Sequence, residues 1–391
     1  MTKRTNIPIL ILVLASTARA AQNDNRQGAD RRVFEPGRPW LDTSGKPIQA
    51  HGGGILFKDG VFYWYGEEKT HGNLNKIGVA CYSSRDLYNW KPEGVVLRAE
   101  VLPKPFRGDH GICERPKVLH NEKNGTYVMW MHLDDEMYHT SVAGVATADA
   151  PTGPFRYVAH FRPIKYDFGA TANDPDRQHE EGGTFRDMNL FRDDDRRAYV
   201  FYASEGNRTM YVVRLNADYT GPESPPVEGK TWGRILVNKM REAPAPFRYR
   251  ETYYLITSAC TAWGPNAASY AIAKSILGPY ETRKNPCVGP GADKTFRSQS
   301  TFVLPVPGRP GCFIYMGDRW NPSRLGDSTY VWLPFRIRAD GAFTIEWRDR
   351  WDLSVFDAME SADSETRDKP FKSPNAMSLF RCKALLVNKL W

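Results

Sequence analysis

The stretch REAPAPFRYRETYYLITS, residues 241–258, places a carboxylate directly before two apolar segments that are separated by a polar turn. Five of the six residues 252–257 are aromatic or β-branched, a composition typical of a half-buried β-strand. Glu242 precedes the first segment, and Pro244 restricts the backbone beside it. Burying a carboxylate at the beginning of a strand costs free energy unless neighbouring groups compensate for it. The interpretation of Glu242 therefore depends on whether the same pattern recurs.

The same order of polar residue, apolar run, turn and aromatic strand occurs in five segments of the chain. The four further segments begin at His51, Glu114, Asp187 and Gln299, so that successive starting residues are 55 to 73 positions apart. Each segment is typical of a β-hairpin, and several continue with a small-residue strand and an aromatic strand. Five units of about four strands predict an all-β fold, a five-bladed β-propeller. The alternative is a β-sandwich with accidental similarity between its strands.

The two ends of the chain differ from the repeats. Residues 1–20 combine basic residues, an apolar run and a small-residue cleavage sequence, which predicts a signal peptide rather than a first strand. We expect the propeller over residues 33–357 and a tail of uncertain structure over 358–391. The polar, Gly-rich segment 163–183 is predicted to be a loop. No later apolar segment is long enough to span a membrane, so we expect a secreted or periplasmic protein with no membrane partner after signal removal.

Charge and cysteine patterns argue against several kinds of partner. The 53 basic and 45 acidic residues give a net charge of +8, yet they are mixed along the chain without a basic stripe. We therefore expect no nucleic-acid partner. The 6 cysteines are scattered without a CxxC motif or a His/Cys cluster, so we expect no metal site and no cofactor. Cys260 and Cys287 flank one repeat and form a candidate disulfide pair, although the sequence leaves the connectivity open.

In a β-propeller the first strand of every blade faces the central axis, so equivalent positions converge at one end of it. We call the five converging positions the lip residues: His51, Glu114, Asp187, Glu242 and Gln299. Carboxylates that are brought together raise one another's pKa, and folds tolerate this mainly at functional sites. Two carboxyl groups beside aromatic side chains suit the hydrolysis of a glycosidic bond, in which one carboxyl protonates the leaving oxygen.

Four tryptophans follow lip residues within their units, namely Trp64, Trp130, Trp263 and Trp320. An indole ring at the mouth of a pocket can stack on the apolar face of a sugar. A tryptophan inside an aromatic strand is more often part of the hydrophobic core. The sequence leaves both interpretations open.

The chain resembles glycoside hydrolase family 43 over roughly residues 40–355. The resemblance rests on the order of seven motifs: QAHGGGILF, YWYGE, ERPKV, RDMNLF with DDD, REAPA, YYLITSACTAWGPNAASYA and QSTFVLP. Together they are similar to the exo-β-1,3-galactanase branch. The resemblance implies a five-bladed propeller that hydrolyses glycosidic linkages with inversion of the anomeric configuration.

The resemblance also implies roles for individual acids. Glu242 in REAPA matches the family's general acid, and Asp187 in RDMNLF matches the carboxylate that tunes the pKa of that acid and orients it. Glu114 in ERPKV and Glu67 in YWYGE match acids that contact the sugar.

One position departs from the wider family pattern. His51 stands where the family's general base, an Asp of the first blade, is expected, and we expect His51 to shape the sugar-binding pocket instead. The galactanase branch shares this gap and uses a Gln of the fifth blade to hold the attacking water, a position that Gln299 matches. Water positioning alone and an imidic-acid tautomer of Gln299 both stay open. Further substrate contacts are expected, from their sequence neighbourhood, at Tyr138, Thr261 and Asn266.

These features predict an exported, monomeric, inverting glycoside hydrolase without a cofactor. The leading interpretation is an exo-acting β-1,3-galactanase or galactosidase that releases galactose from a polysaccharide or oligosaccharide, β-1,3-galactan or arabinogalactan. An α-L-arabinofuranosidase of the same family is the first alternative, because pocket details decide between the two sugars. A carbohydrate-binding propeller without turnover is the second alternative, because the general-base Asp is missing.

Overall fold

The computed structural model describes residues 31–164 and 183–360, which form five antiparallel sheets arranged as a β-propeller. This confirms the predicted all-β, five-bladed fold. The predicted signal peptide at 1–20, most of the loop at 163–183 and most of the tail at 358–391 lie outside the described residues. Within the described ranges, no helix has both the length and the apolar character needed to cross a membrane.

Blades I to IV contain four strands each, and blade V contains three. The bounds are, in blade I, β1 (His51–Lys58), β2 (Val61–Glu67), β3 (Gly78–Ser84) and β4 (Lys91–Arg98); in blade II, β5 (Gly111–Asn121), β6 (Thr126–Asp135), β7 (Val142–Ala148) and β8 (Arg156–Phe161); in blade III, β9 (Met188–Arg192), β10 (Ala198–Ser204), β11 (Thr209–Arg214) and β12 (Trp232–Ile235); in blade IV, β13 (Arg241–Tyr249), β14 (Thr252–Ala259), β15 (Ser269–Ala273) and β16 (Glu281–Arg283); and in blade V, β18 (Gln299–Pro305), β19 (Cys312–Arg319) and β20 (Thr329–Arg336). Strands β17 (Cys287–Val288) and β21 (Ile345–Glu346) form a separate parallel pair. Among the described residues, helical structure is confined to 3-10 turns at Ala99–Val101, Lys104–Phe106, Ala292–Arg297 and Leu325–Asp327 and to a helical turn at 355–360.

The sheets form a closed ring around their innermost strands. Strands β1, β5, β9, β13 and β18 contact one another in this order, and β18 also contacts β1. Blade V lacks the fourth strand that the repeat predicts. Beside it, the backbone N–H of Phe34 donates to the carbonyl of Trp351 at 2.7 Å, and the N–H of Trp351 donates back at 3.1 Å. This bridge joins the beginning and the end of the described chain at the interface of blades V and I.

Each interface between neighbouring blades has its own hydrophobic cluster, so the core of the described residues consists of five wedges rather than one centre. Trp64 is 1% exposed in the wedge between blades V and I, and Trp130 is 0% exposed in the wedge between blades II and III. The interpretation of Trp64 and Trp130 as sugar-stacking residues is therefore wrong, because both lie inside strands whose side chains fill the core.

The candidate disulfide between Cys260 and Cys287 is also wrong, because both thiols are free. Cys287 is buried in the wedge between blades IV and V. Cys260 lies outside the core, where its thiol forms a hydrogen bond with the carboxyl group of Glu242. The two sulfur atoms therefore have separate environments.

One-residue β-bulges at or next to the lip residues interrupt β1, β5, β13 and β18. In the first three, the residue after the lip residue has a left-handed backbone, with φ of 57° at Gly52, 55° at Arg115 and 53° at Ala243. A bulge bends its strand and redirects the neighbouring side chain. At the bulges, the side chains of the lip residues therefore do not follow the regular inward and outward alternation of the rest of the strand.

The backbone N–H of each left-handed residue donates to a carboxylate of the preceding blade, and we call these bonds the bulge–carboxylate contacts. They run from Gly52 to Asp318 at 3.1 Å, from Arg115 to Glu67 at 2.9 Å and from Ala243 to Asp187 at 3.0 Å. Buried amides of this kind need an acceptor, and an ionised acceptor gives a stronger bond than a neutral one. The ring of blades and the acidic groups at its mouth are therefore one connected structure.

We expect Gly52→Ala to destabilise the fold much more than Gly94→Ala. Both glycines have a left-handed backbone, which costs an L-residue roughly 1–2 kcal/mol. A Cβ at position 52 would stand 2.0 Å from Oε1 of Glu67, whereas a Cβ at position 94 would meet nothing within 4 Å. Displacing Glu67 also breaks its bond with the Arg115 amide, which adds roughly 1.5–3 kcal/mol. Urea titration of both variants measures the difference in the free energy of unfolding, and equal losses would contradict the contact's importance.

Candidate functional site

A cavity of about 230 Å³ lies where the blades converge, and residues from all five blades line it. The convergence of the lip residues is confirmed for four of the five, since only His51 is missing from the wall. Six of the residues predicted to form the site line the cavity: Glu67, Glu114, Tyr138, Asp187, Glu242 and Gln299.

A larger cavity of about 1000 Å³ lies beside the first, towards blade I and the loop after β19. The two cavities share Asn73 and Trp263. The larger one contains neither Glu242 nor Gln299 in its wall. Because hydrolysis needs a proton donor and a placed water, we assign the candidate active site to the smaller cavity despite its size.

Arg115 is the central cation of the site and was not identified from the sequence. Its Nε donates to Oδ1 of Asp187 at 3.1 Å, and its Nη2 lies 3.0 Å from Oδ2 of the same carboxylate. Nη2 also donates to Oε1 of Gln299 at 2.6 Å, and Nη1 donates to the carbonyl of Ser300 at 3.2 Å. The guanidinium thus holds groups from blades III and V, and the backbone N–H of the same residue holds Glu67 of blade I.

Asp187 connects Arg115 to the backbone beside Glu242. Arg115 contacts both carboxylate oxygens of Asp187. Oδ2 of Asp187 also accepts a hydrogen bond from the backbone N–H of Ala243 at 3.0 Å. Ala243 directly follows Glu242, so the Asp187 carboxylate fixes the peptide that carries the Glu242 side chain. The predicted orienting role has this geometric basis.

Glu242 is 9% exposed and accepts hydrogen bonds from amide groups at both oxygens. Gln299 Nε2 donates to Oε1 at 2.9 Å, and Asn207 Nδ2 donates to Oε2 at 3.3 Å. Burial and the negative charge of Asp187 raise the pKa of Glu242 to about 8, against the opposing effects of Arg115 and the Cys260 thiol. Within residues 31–164 and 183–360, Glu242 forms no ion pair. It therefore keeps its proton at neutral pH.

The other carboxylates of the cavity do have cationic partners. Lys69 Nζ lies 2.7 Å from Glu67 and 3.9 Å from Glu114, and His132 Nδ1 lies 3.4 Å from Glu114. Although burial opposes it, His132, Lys69 and Tyr138 lower the pKa of Glu114 to about 2. Burial acts to raise the pKa of Glu67, but the 2.7 Å contact with Lys69 has the geometry of an ion pair.

The side-chain amide of Gln299 uses its full hydrogen-bonding capacity. Oε1 accepts from Arg115 Nη2 and from Trp320 Nε1, the latter at 2.9 Å. Nε2 donates to Glu242 and to Ser258 Oγ, the latter at 3.1 Å. Reversing the amide would point its NH₂ group at two donors, so the network defines its orientation.

His51 is not in the wall of the cavity, although its ring lies 5.7 Å from that of Trp320, which is; its role in shaping the pocket and binding substrate stays a prediction. The side chain is fully buried, with Nδ1 3.4 Å from Oδ1 of Asp318. Its ring stacks on Tyr330 at a centroid distance of 5.0 Å. Gly52 after it carries the bulge, which leaves His51 facing the gap between blades I and V.

Thr261 and Asn266 also do not line the cavity, and their contact with substrate stays a prediction. Both oxygen and nitrogen of the Asn266 amide bond the backbone of Ala259 at 2.9 Å, and Nδ2 donates to Thr261 Oγ1 at 2.7 Å. They brace the loop after β14, which places Trp263 at the cavity. Trp263 packs edge-on against Trp320 at 5.0 Å, and both line the wall, as predicted for sugar-stacking residues.

The wall also contains Arg115, His132 and Asn207, and Lys69 contacts Glu67 outside the wall; none of these four was selected from the sequence. The signal that could have found the cations is charge: converging buried carboxylates require buried positive partners. Among the described residues, no group of three or more His, Cys, Asp or Glu side chains has an arrangement that could hold a metal ion.

Comparison with known proteins agrees with this geometry. The family model "Glycosyl hydrolases family 43" matches residues 54–301. A family 43 β-1,3-galactosidase solved with galactodeoxynojirimycin is 39% identical over 82% of this chain and 100% of its own, with a TM-score of 0.75. No curated protein matches the chain significantly.

Two further solved structures are exo-β-1,3-galactanases. The enzyme of Phanerochaete chrysosporium, solved as a Glu-to-Gln variant with β-1,3-galactotriose, is 35% identical over 83% of this chain and 69% of its own, with a TM-score of 0.72. The enzyme of Clostridium thermocellum is 35% identical over 81% of this chain and 66% of its own, with a TM-score of 0.71. With a matching family model, a shared propeller and identities well above 30%, this chain belongs to glycosyl hydrolase family 43.

Proposed function

We propose that this glycoside hydrolase is an exo-acting β-1,3-galactosidase that releases galactose, with inversion, from β-1,3-galactan chains such as those of arabinogalactan. The solved relatives described above, a β-1,3-galactosidase and two exo-β-1,3-galactanases, support the sugar and the linkage. The small volume of the cavity, about 230 Å³, suits one terminal sugar better than a continuous chain. The signal-like residues 1–20 support export to the periplasm or the medium.

The observation that carries the proposal is the charge pairing inside the cavity. Glu67, Glu114 and Asp187 each have a cation within ion-pair distance, whereas Glu242 is held by neutral amides. A carboxylic acid that keeps its proton beside ionised carboxylates is the arrangement required of a general acid. Glu242 therefore donates a proton to the glycosidic oxygen as the bond to the leaving sugar breaks.

Asp187 and Arg115 prepare Glu242 for this step. The negative charge of Asp187 contributes to the raised pKa of Glu242, and its bond with Ala243 N–H fixes the adjoining peptide. Arg115 holds the Asp187 carboxylate in place through contacts with both of its oxygens.

Gln299 orients the attacking water in its ordinary amide form, and the water replaces one of the amide's four protein partners when substrate binds. An imidic acid would carry its extra proton on Oε1, the atom that accepts bonds from Arg115 and Trp320. Two donors aimed at this oxygen stabilise the amide relative to the tautomer. Of the two mechanisms compatible with the sequence, this network favours water positioning.

Recognition of the terminal sugar is assigned to Glu67, Glu114 and Tyr138, with Trp263 and Trp320 at its apolar faces. The ionised carboxylates accept hydrogen bonds from sugar hydroxyl groups, and buried acceptors left unpaired by the wrong epimer are costly. This is how a small pocket can separate galactose from other sugars.

The specificity is tested with β-1,3-galactobiose, de-arabinosylated arabinogalactan and an aryl α-L-arabinofuranoside, while NMR follows the anomer that appears first. Release of galactose, first as its α-anomer, is expected. Arabinose as the only product would indicate an arabinofuranosidase. Binding of galactobiose without release of any sugar would indicate a carbohydrate-binding propeller.

Glu242→Gln is expected to lower kcat on β-1,3-galactobiose by about 10²–10⁴-fold, the usual contribution of a general acid. The same variant should keep most of its activity on 2,4-dinitrophenyl β-galactoside, because that leaving group departs without protonation. Steady-state kinetics on the two substrates measures the contrast. An equal decrease in kcat on both substrates would contradict the role of Glu242 as the general acid.

Gln299→Ala is the matched variant for this comparison. It should lower kcat on galactobiose and on the dinitrophenyl galactoside alike, by about 10²–10³-fold if it resembles the loss of one placed polar group. Water attacks the anomeric carbon with either leaving group, so an activated substrate cannot compensate. Retention of activity on the dinitrophenyl galactoside alone would contradict a role in placing water.

The pH profile tests the state of the acid. Glu242 must be protonated to act as the acid, and its pKa is raised to about 8. We therefore expect kcat/KM to reach its maximum below pH 8 and to decrease as the pH rises through this value. Asp187→Asn removes the neighbouring negative charge, so this alkaline limb should move to lower pH, by about one unit. Asp149→Asn, at an exposed position, is the control and should leave the limb in place. If the alkaline limb stayed at the same pH in Asp187→Asn, the charge of Asp187 would not contribute to the raised pKa of Glu242.

A further inference from the structure

His132 lies on β6 directly opposite Glu114 on β5 and lines the cavity, although its side chain is only 1% exposed. Nothing in the local sequence marks it, since His120 and His132 stand in the same hairpin. The two ring nitrogens of His132 face different carboxylates. Their geometry determines which protons the ring carries.

Asp134 fixes the first of these nitrogens. His132 Nε2 lies 2.8 Å from Oδ2 of Asp134, a fully buried carboxylate. Oδ1 of Asp134 accepts the backbone N–H groups of Asp135, Thr140 and Ser141 at 2.8 to 3.0 Å, and Oδ2 accepts the Ser141 hydroxyl at 2.8 Å. A carboxylate that accepts this many bonds is held ionised, so the proton of the contact resides on Nε2.

The second nitrogen, Nδ1, faces Oε2 of Glu114 at 3.4 Å. Because Nε2 already carries a proton, Nδ1 can donate to Glu114 only if the ring is the doubly protonated imidazolium. The other oxygen of Glu114 accepts the Tyr138 hydroxyl at 2.7 Å. Nδ1 is buried and has no hydrogen-bond partner other than this carboxylate at ion-pair distance, so an imidazolium would give Glu114 one charged and one neutral neighbour and leave its remaining lone pairs for a ligand in the cavity.

The surroundings are compatible with a charged ring. The titratable and charged groups around it are Glu67 and Lys69 in blade I, Glu114 on β5, Asp134 on β6, Tyr138 after β6, and Arg186 and Asp187 before β9. Against burial, the bonds with Asp134 and Glu114 raise the pKa of His132 to about 9. Lys69 is the only other cation in ion-pair contact with Glu114 among the described residues, and it lies closer to Glu67.

We propose that His132, anchored by Asp134, is a positioning residue that keeps Glu114 ionised and oriented to accept a hydrogen bond from a hydroxyl group of the terminal sugar. The inference rests on the proposed function, because it assigns a sugar to the cavity. It assigns to His132 and Asp134 a role in keeping Glu114, which contacts the sugar, negatively charged. It also explains how a carboxylate stays ionised in a cavity that holds three further acids.

His132→Gln tests the proposal, since Gln is polar and uncharged. Losing the cation should raise the pKa of Glu114 by about 1–3 units, which brings an acid limb into the measurable range of the kcat/KM profile. Below that limb, kcat/KM should fall about tenfold per pH unit through an increase in KM. At pH 7, where Glu114 is still ionised, the loss should be small. His120→Gln, at a position outside the cavity, is the control and should leave the acid limb where the wild type has it.

A measurement on the unmodified protein covers the case in which the variant fails to fold. ¹⁵N NMR of the histidine rings should show His132 with both nitrogens protonated at pH 7, and Asp134→Asn should lower the pH at which it titrates. A neutral His132 at pH 7, or an acid limb in His132→Gln that coincides with the wild type, would overturn the proposal. If the wild type released no galactose, the proposed function would fail while the NMR result would still decide the state of His132.

Discussion

The rest of the site depends on the contacts that Arg115 makes with residues of other blades. Arg115 contacts Asp187 and Gln299 with its side chain and Glu67 with its backbone N–H, so one residue fixes groups contributed by three other blades. A buried guanidinium is stable only when its donors are occupied, and here a carboxylate, an amide and a backbone carbonyl occupy them. The left-handed backbone at Arg115 makes this reach possible, because the bulge places its amide and its side chain on different neighbours.

Four acids of the cavity have different roles because their neighbouring groups differ, not because their side chains do. Lys69, His132 and Arg115 neutralise three carboxylates, whereas the fourth acid, Glu242, has only neutral donors and the charge of Asp187 beside it. Two carboxyl groups in one cavity thus titrate on opposite sides of neutrality. Comparable divisions of labour arise in other enzymes when environment pushes two carboxyl pKa values apart.

The blades and most of the lip residues could be predicted because hairpins are local, so turn residues and aromatic strands can be identified from consecutive positions. The cations were missed for two reasons. Arg115 meets Asp187 only after separate blades have closed the ring, whereas Lys69 and His132 meet Glu67 and Glu114 within one blade, where no motif marks them. The tryptophans show a finer distinction that the repeat pattern did not use. Trp130 lies inside β6 and is core, whereas Trp320 directly follows the end of β19 and reaches the cavity.

The bulge–carboxylate contacts restrict how such an enzyme can diverge. At Gly52, Arg115 and Ala243, the backbone beneath one blade's lip residue is held by an acid that belongs to the blade before it. A substitution of that acid therefore shifts a neighbour's lip residue as well as removing a charge. Substitutions of these three acids should therefore show epistasis with the lip residue of the following blade, although the two positions are distant in sequence.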